Sequence, residues 1–148
     1  MAEYPPKLRR LLKRIGATAD RQERIQLLID LSKRYRRVSE EIARPPYGDE
    51  HKVPACESQA YVFPVPNGDG SLAFHFAVDN PQGISAMAMA AVLGDTLSGV
   101  PLEQVAAVPT EIVYELFGKE LSMGKNMGLM GMVGMVTGYA RERLAEKT

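Results

Sequence analysis

The chain contains a single cysteine, Cys56, within the stretch HKVPACESQAYVF that runs from His51 to Phe63. A lone thiol can fill a small core site, act as a nucleophile, or accept and carry a group such as sulfur. Nucleophilic catalysis by cysteine asks for a base such as histidine, oriented by a further polar group. The chain has two histidines, His51 and His75. His51 is near Cys56 in sequence, but the proline-containing loop between them fixes no distance. Glu57, next door, places a like charge beside any thiolate, so the thiol is not activated from within its own loop. That pattern suits an acceptor whose partner supplies the chemistry. Ser58 and Gln59 add two polar side chains that could hydrogen-bond a persulfide or satisfy loop backbone groups. Free cysteines are also often simply buried, and on residue types alone both readings stand. No metal site is expected, since one cysteine and two histidines would nearly all be needed to build one.

The 148 residues are read as one domain spanning 1–148. A chain of this size buries about 68–70% of its unfolded surface, enough for a core without disulfide or metal. Single-thiol usage fits a reducing, cytoplasmic setting. The N-terminus is basic but has no continuous apolar core of the signal-peptide kind. Two uncharged runs, Asn80–Gly94 and Asn126–Ala140, are each 15 residues long. A membrane-spanning helix needs about 20, so both read as buried helices and no membrane partner is expected. The net charge is zero but unevenly placed. Residues 1–44 carry 12 Lys/Arg against 6 Asp/Glu, and the remainder carries the reverse. The basic third could face an acidic partner but reads more simply as the solvated faces of two helices. It lacks the interleaved aromatics of single-strand binders, and no nucleic-acid partner is expected.

These elements must position Cys56. Pro5–Pro6 can open a helix, and Leu8, Leu11, Leu12 and Ile15 recur at helical spacing up to Gly16. Asp20, with Glu23 three residues on, predicts the start of a second helix, with Ile25, Leu28, Ile29 and Tyr35 as its apolar face. The segment from Ala43 to Ala55, with three prolines and a glycine, reads as an ordered functional loop that could hide a short third strand. SQAYVFPV reads as an edge strand frayed by Pro64 and Pro66, NGDG as a hairpin turn, and SLAFHFAV as the second strand. On that strand Leu72, Phe74, Phe76 and Val78 share one face, which leaves His75 on the other. Helices are then expected over Gln82–Ser98, after Pro101, after Pro109 up to Gly118, and from about Gly124 to Glu146. The last carries glycines three or four apart at 124, 128, 131, 134 and 138. Each costs about 0.5–1 kcal/mol relative to alanine in a helix, so close approach of another backbone is expected, either the sheet or the Gln82–Ser98 helix. Met127, Met130, Met132 and Met135 flank the stripe and read as gap-filling core residues. The order of elements predicts an α+β fold, with a small antiparallel sheet of two or three strands packed against several helices.

VPACESQAYV resembles the GCQSQVW-type motif of the SufE family, the sulfur-acceptor partners of cysteine desulfurases. LAFHFAVDNPQGISAMAMAAVLGDTLSGVPLEQV is similar to the family's second strand and following helices, and LSMGKNMGLMGMV to its LSPSRSNGL segment. The resemblance covers roughly residues 5–145 and implies a SufE/NifU-like fold. It implies that Cys56 accepts sulfur from a desulfurase persulfide by thiolate attack on a sulfur–sulfur bond, with Ser58 and Gln59 shaping the loop. It further implies a loop that swings out, and Lys125 as a contact near the partner. The partners implied are a SufS-like cysteine desulfurase and an iron–sulfur scaffold such as a SufBCD-like complex, with homodimers common. The activity would be sulfurtransferase-like, and this chain needs no cofactor of its own because the pyridoxal-phosphate chemistry stays with the desulfurase. Three positions depart from the family pattern. Ala55 stands where glycine is usual, Lys125 where arginine is usual, and Met127 where a polar residue is usual. An alternative is a non-catalytic module that regulates a desulfurase without carrying sulfur.

Overall fold

The computed structural model describes residues 4–118 and 121–147, so the two ends of the expected 1–148 domain fall partly outside it. Helices α1 (Pro6–Ala17) and α2 (Arg21–Ser32) lead into a long connection holding one 3-10 turn, Asp49–His51. Strands β1 (Ala60–Pro66) and β2 (Leu72–Val78) follow, then α3 (Ile84–Leu97), α4 (Leu102–Ala106), α5 (Ile112–Phe117) and α6 (Met123–Glu146). The architecture is α+β, a two-stranded antiparallel sheet with six helices among the described residues.

The helix signals in the sequence act as expected, with small shifts. Pro6 occupies the first position of α1, but Gly16 lies inside the helix, which closes one residue later. Leu8, Leu12 and Ile15 are buried along one side of α1, while Lys7, Arg9, Arg10, Lys13 and Arg14 are exposed on the other. Asp20 caps α2 by accepting the Gln22 N–H at 2.8 Å. The α3 helix starts at Ile84, two residues later than expected, because Gly83 and Asn80 form the turn before it. Its Ala86, Ala88, Met89, Val92 and Leu93 are all buried, as an apolar helix in the middle of a fold should be.

The sheet registers Val62 against Phe76 and Pro64 against Phe74. Leu72, Phe74, Phe76 and Val78 of β2 are buried together in the main core with side chains from α1, α3, α4, α5 and α6. Burying each phenylalanine contributes about 1.5–3 kcal/mol. The second face of the sheet is also covered, because Val38, Phe63 and Ala77 form a smaller cluster under Tyr47 and Tyr61.

Two expectations for the strands are corrected. First, β1 is not frayed at its prolines but pairs through Pro66. The carbonyls of Ala60 and Val62 accept from Val53 N–H and His51 Nδ1, away from β2. Pro64 and Pro66 share that parity, so the N–H each lacks would point to the open edge and no ladder bond is lost. Second, no third strand forms in the 43–55 segment. It contributes one isolated bridge, Lys52 to Tyr61, and a second isolated bridge joins Arg37 to Phe76 on the β2 side. With three prolines in the segment, a continued ladder would lack donors.

Candidate functional site

Cys56 sits at the crest of a loop between Val53 and Ala60. The Val53 N–H to Ala60 carbonyl bond, 2.8 Å, closes the base of the loop. Val53 itself is buried in the core and anchors the incoming limb. Above that base, Gln59 N–H turns back to the Cys56 carbonyl at 3.2 Å. The outgoing limb is tied to the connection after β2, where Asn80 N–H donates to Ser58 O and Asp79 N–H to Gln59 O, both at 3.2 Å. Two non-glycine residues flank the thiol in the left-handed region, Ala55 at φ +58° and Gln59 at φ +51°. A side chain there costs roughly 1–2 kcal/mol. Ala55 is the position where the family pattern has glycine, and its positive φ supplies the physical reason for that glycine.

The first turns of α6 form the seat under this loop. A Cβ on Gly128 would lie 3.0 Å from the Cys56 Cα and 3.3 Å from the Ala55 carbonyl, and one on Gly131 would lie 3.2 Å from the Pro54 carbonyl. One on Gly124 would meet the Glu57 carboxylate at 3.2 Å. Close backbone approach does explain the front of the glycine stripe, but the approaching backbone is the cysteine loop. Neither the sheet nor α3 fills that role. Gly134 and Gly138 have nothing within 4 Å, so the expectation fails for the rear of the stripe. The methionines divide similarly: Met132 is fully buried, Met130 and Met135 pack against the core, and Met127 is 55% exposed.

Cys56 is partly buried and lines a groove of about 420 Å³. Glu57, Ser58 and Lys125 reach the same groove, so three of the four residues singled out in sequence come together. Gln59 is exposed and does not line it; its contribution is the turn made by its backbone. Ser58 packs tightly on Gly83, where a Cβ would fall 2.6 Å from its Oγ. Lys125 is exposed, and its backbone N–H is capped by Ser122 Oγ at 3.2 Å, which fixes the start of α6 beside the thiol. On its other side Cys56 borders a more open cleft of about 480 Å³ with Asp49, Lys52 and Pro54. Cys56 and Glu57 thus line both the groove and the cleft.

Much of the groove wall was not legible as site. Ile25, Leu28 and Ile29, the expected apolar face of α2, line the groove, and no residue of α2 is fully buried, although Leu28 also packs against the core. Phe117 and Leu121 close its far side, and Asn80, Gln82 and Ser85 supply polar groups at the start of α3. The only advance signal was the set of apolar residues on α2, which does not reveal whether they face a core or a cavity. Ile25, Ile84, Met123 and Met127 remain exposed on the α2, α3 and α6 segments that border the groove.

His51 does not join this site. Its Nδ1 donates to the Val62 carbonyl at 3.0 Å and its ring lies 4.7 Å from that of Phe63, so it braces the outer edge of β1. His75 is half-buried opposite Phe63, on the second face of β2 as expected, and burial pushes its pKa below the usual histidine value. Among the described residues no three His, Cys, Asp or Glu side chains gather as a metal-binding group. No helix among them is long and apolar enough to cross a membrane.

Similarity to known proteins extends over most of the chain. No curated protein sequence matches the chain significantly. The solution structure of a hypothetical protein from Thermus thermophilus shares the fold. The TM-score is 0.73 at 23% identity, over 97% of this chain and 99% of that one. The model of the SufE family, described as an Fe-S metabolism associated domain, matches residues 9–140. A match over most of the chain places the protein in the SufE family, with a role in Fe–S metabolism.

Proposed function

We propose that this protein is a sulfur carrier that takes persulfide sulfur from a cysteine desulfurase onto Cys56 and passes it to an iron–sulfur cluster scaffold. The observation that carries the reading is the setting of the chain's only thiol, partly buried on a loop packed against α6 and shared by a groove and an open cleft. A carrier thiol needs access for attack and shelter afterwards, because an exposed persulfide is open to competing thiols. The Cys56 thiolate attacks the terminal sulfur of the donor's persulfide. A new sulfur–sulfur bond forms at Cys56, the old one breaks, and the donor cysteine leaves as thiolate, with no net redox change. Ser58 shapes the loop against Gly83, Gln59 turns its backbone, and Lys125 offers a point charge to a carboxylate of the partner.

The test is intact mass after incubation with a cysteine desulfurase and cysteine, without reductant. The expected outcome is a gain of one sulfur atom that a thiol reductant removes and that Cys56→Ser abolishes while still binding the desulfurase. A wild-type protein that binds and stimulates a desulfurase without gaining mass, and a Cys56→Ser protein that does the same, would replace this reading with the non-catalytic regulator.

A further inference from the structure

We propose that Gly128 and Gly131 of α6, with Gly83 before α3, are positioning residues that hold the Cys56 loop in its seat against its own backbone strain. The inference rests on the reading of Cys56 as the working thiol and concerns what governs its accessibility. Three observations carry it.

First, the contacts are selective along one helix. Cβ atoms at positions 128 and 131 would press on backbone of the loop, whereas those at 134 and 138 would meet nothing. Glycine in a helix interior is unfavourable, so its presence at 128 and 131 coincides with the demand for close approach. Main-chain atoms that cannot swing aside are nearest at 128, and at 131 the Pro54 carbonyl is joined by Val53 Cγ1, both at 3.2 Å. Second, the opposite limb packs on Gly83 through a side chain, since Ser58 Oγ and Cβ occupy the space a side chain at Gly83 would need. Third, the seated loop holds Ala55 and Gln59 at positive φ. Both residues can relax only if the loop departs, and the open cleft on its outer side leaves room for that. Its three bonds above the base are all 3.2 Å, at the long end of the usual range. Seat contacts therefore favour the sheltered thiol, and strain at positions 55 and 59 favours release.

The test measures the rate of Cys56 alkylation by iodoacetamide in the full-length protein, alongside urea unfolding. Gly128→Ala and Gly131→Ala should each raise the rate roughly five- to thirtyfold, the factor expected from a modest loss of local stability. Gly134→Ala on the same helix should leave it unchanged. Gly134→Ala should unfold at a urea concentration no lower than wild type, since it removes a helical glycine. In Gly128→Ala and Gly131→Ala the same gain should offset part of the lost seat contact, so their urea midpoints should fall by less than the alkylation change implies. Rates for Gly128→Ala and Gly131→Ala that match Gly134→Ala overturn the proposal, as does acceleration matched by equal global destabilisation. Should a variant fail to fold, Ala55→Gly carries the test with opposite sign. Relieving strain in the seated loop should slow alkylation, and an unchanged or faster rate overturns the proposal. Alkylation needs no desulfurase, so a failure of sulfur transfer would leave the seat standing. Sulfur uptake with equal alkylation in all variants would remove the seat and keep the carrier.

Discussion

The hairpin turn at Asn67–Ser71 and the cysteine loop at Ala55–Gln59 pose the same backbone problem and solve it differently. Both reverse the chain next to β1 and both require left-handed residues. In the hairpin the positive φ falls on Gly70, at +92°, where no side chain is strained. Most of its polar groups are satisfied locally: Asp69 Oδ1 accepts from Ser71 Oγ at 2.6 Å and from Ser71 N–H at 3.0 Å, and Asn67 Nδ2 donates to Ser71 Oγ, while the Gly70 carbonyl accepts from Lys147 Nζ at 2.9 Å. In the cysteine loop the positive φ falls on alanine and glutamine, and shape is imposed from outside by α6 and the start of α3. The hairpin draws its shape chiefly from bonds within the turn, whereas the cysteine loop draws it chiefly from distant segments packed against it.

The contrast can be broken most forcefully at Gly70. Gly70→Ala should destabilise the protein by about 1–2 kcal/mol, read as a lower urea midpoint at unchanged slope. A neutral effect would mean that the turn can adopt another form. The same chemical step reversed in the other loop should reverse the sign. Ala55→Gly should stabilise by about 0.5–1 kcal/mol, and Gln59→Gly should act in the same direction. Destabilisation by both would show that neither residue is strained and would erase the difference between the two loops.

The smallest expected effect concerns pH. The Ser71 hydroxyl, and then its N–H, hold the Asp69 carboxyl below the usual aspartate value. A carboxyl with a lowered folded-state pKa adds stability above its unfolded value, lost as pH falls through the folded one. The advantage of wild type over Asp69→Asn should therefore be constant from neutrality to about pH 4, near the unfolded aspartate value, and narrow below it. An advantage that persists unchanged into stronger acid would remove Asp69 as the clamp of the turn.

What could be read in the sequence follows the range of the forces involved. The alternation of Leu72, Phe74, Phe76 and Val78, the cap at Asp20 and the NGDG turn are local, and each sits where the pattern put it. The prolines of β1 misled because their cost depends on which edge of the strand is free, a property of pairing. The apolar residues of α2 did not announce the groove, because an apolar face reads the same in sequence whether it covers a core or borders a groove. The glycines of α6 announced a close neighbour without identifying it, and two of the five have none within reach.

The sequence by itself determined the α+β class, the family, and Cys56 as the one residue able to carry a thiol-bound group. These rest on residue chemistry and short-range periodicity, which need no third dimension. Only the tertiary structure decided that α6 seats the cysteine loop, that Ala55 and Gln59 bear its strain, and that α2 walls its groove. Those facts depend on which distant segments meet, here residues 53–57 against 124–131, and even the glycine spacing of α6, which signals a close neighbour, carries nothing that says which segment it is.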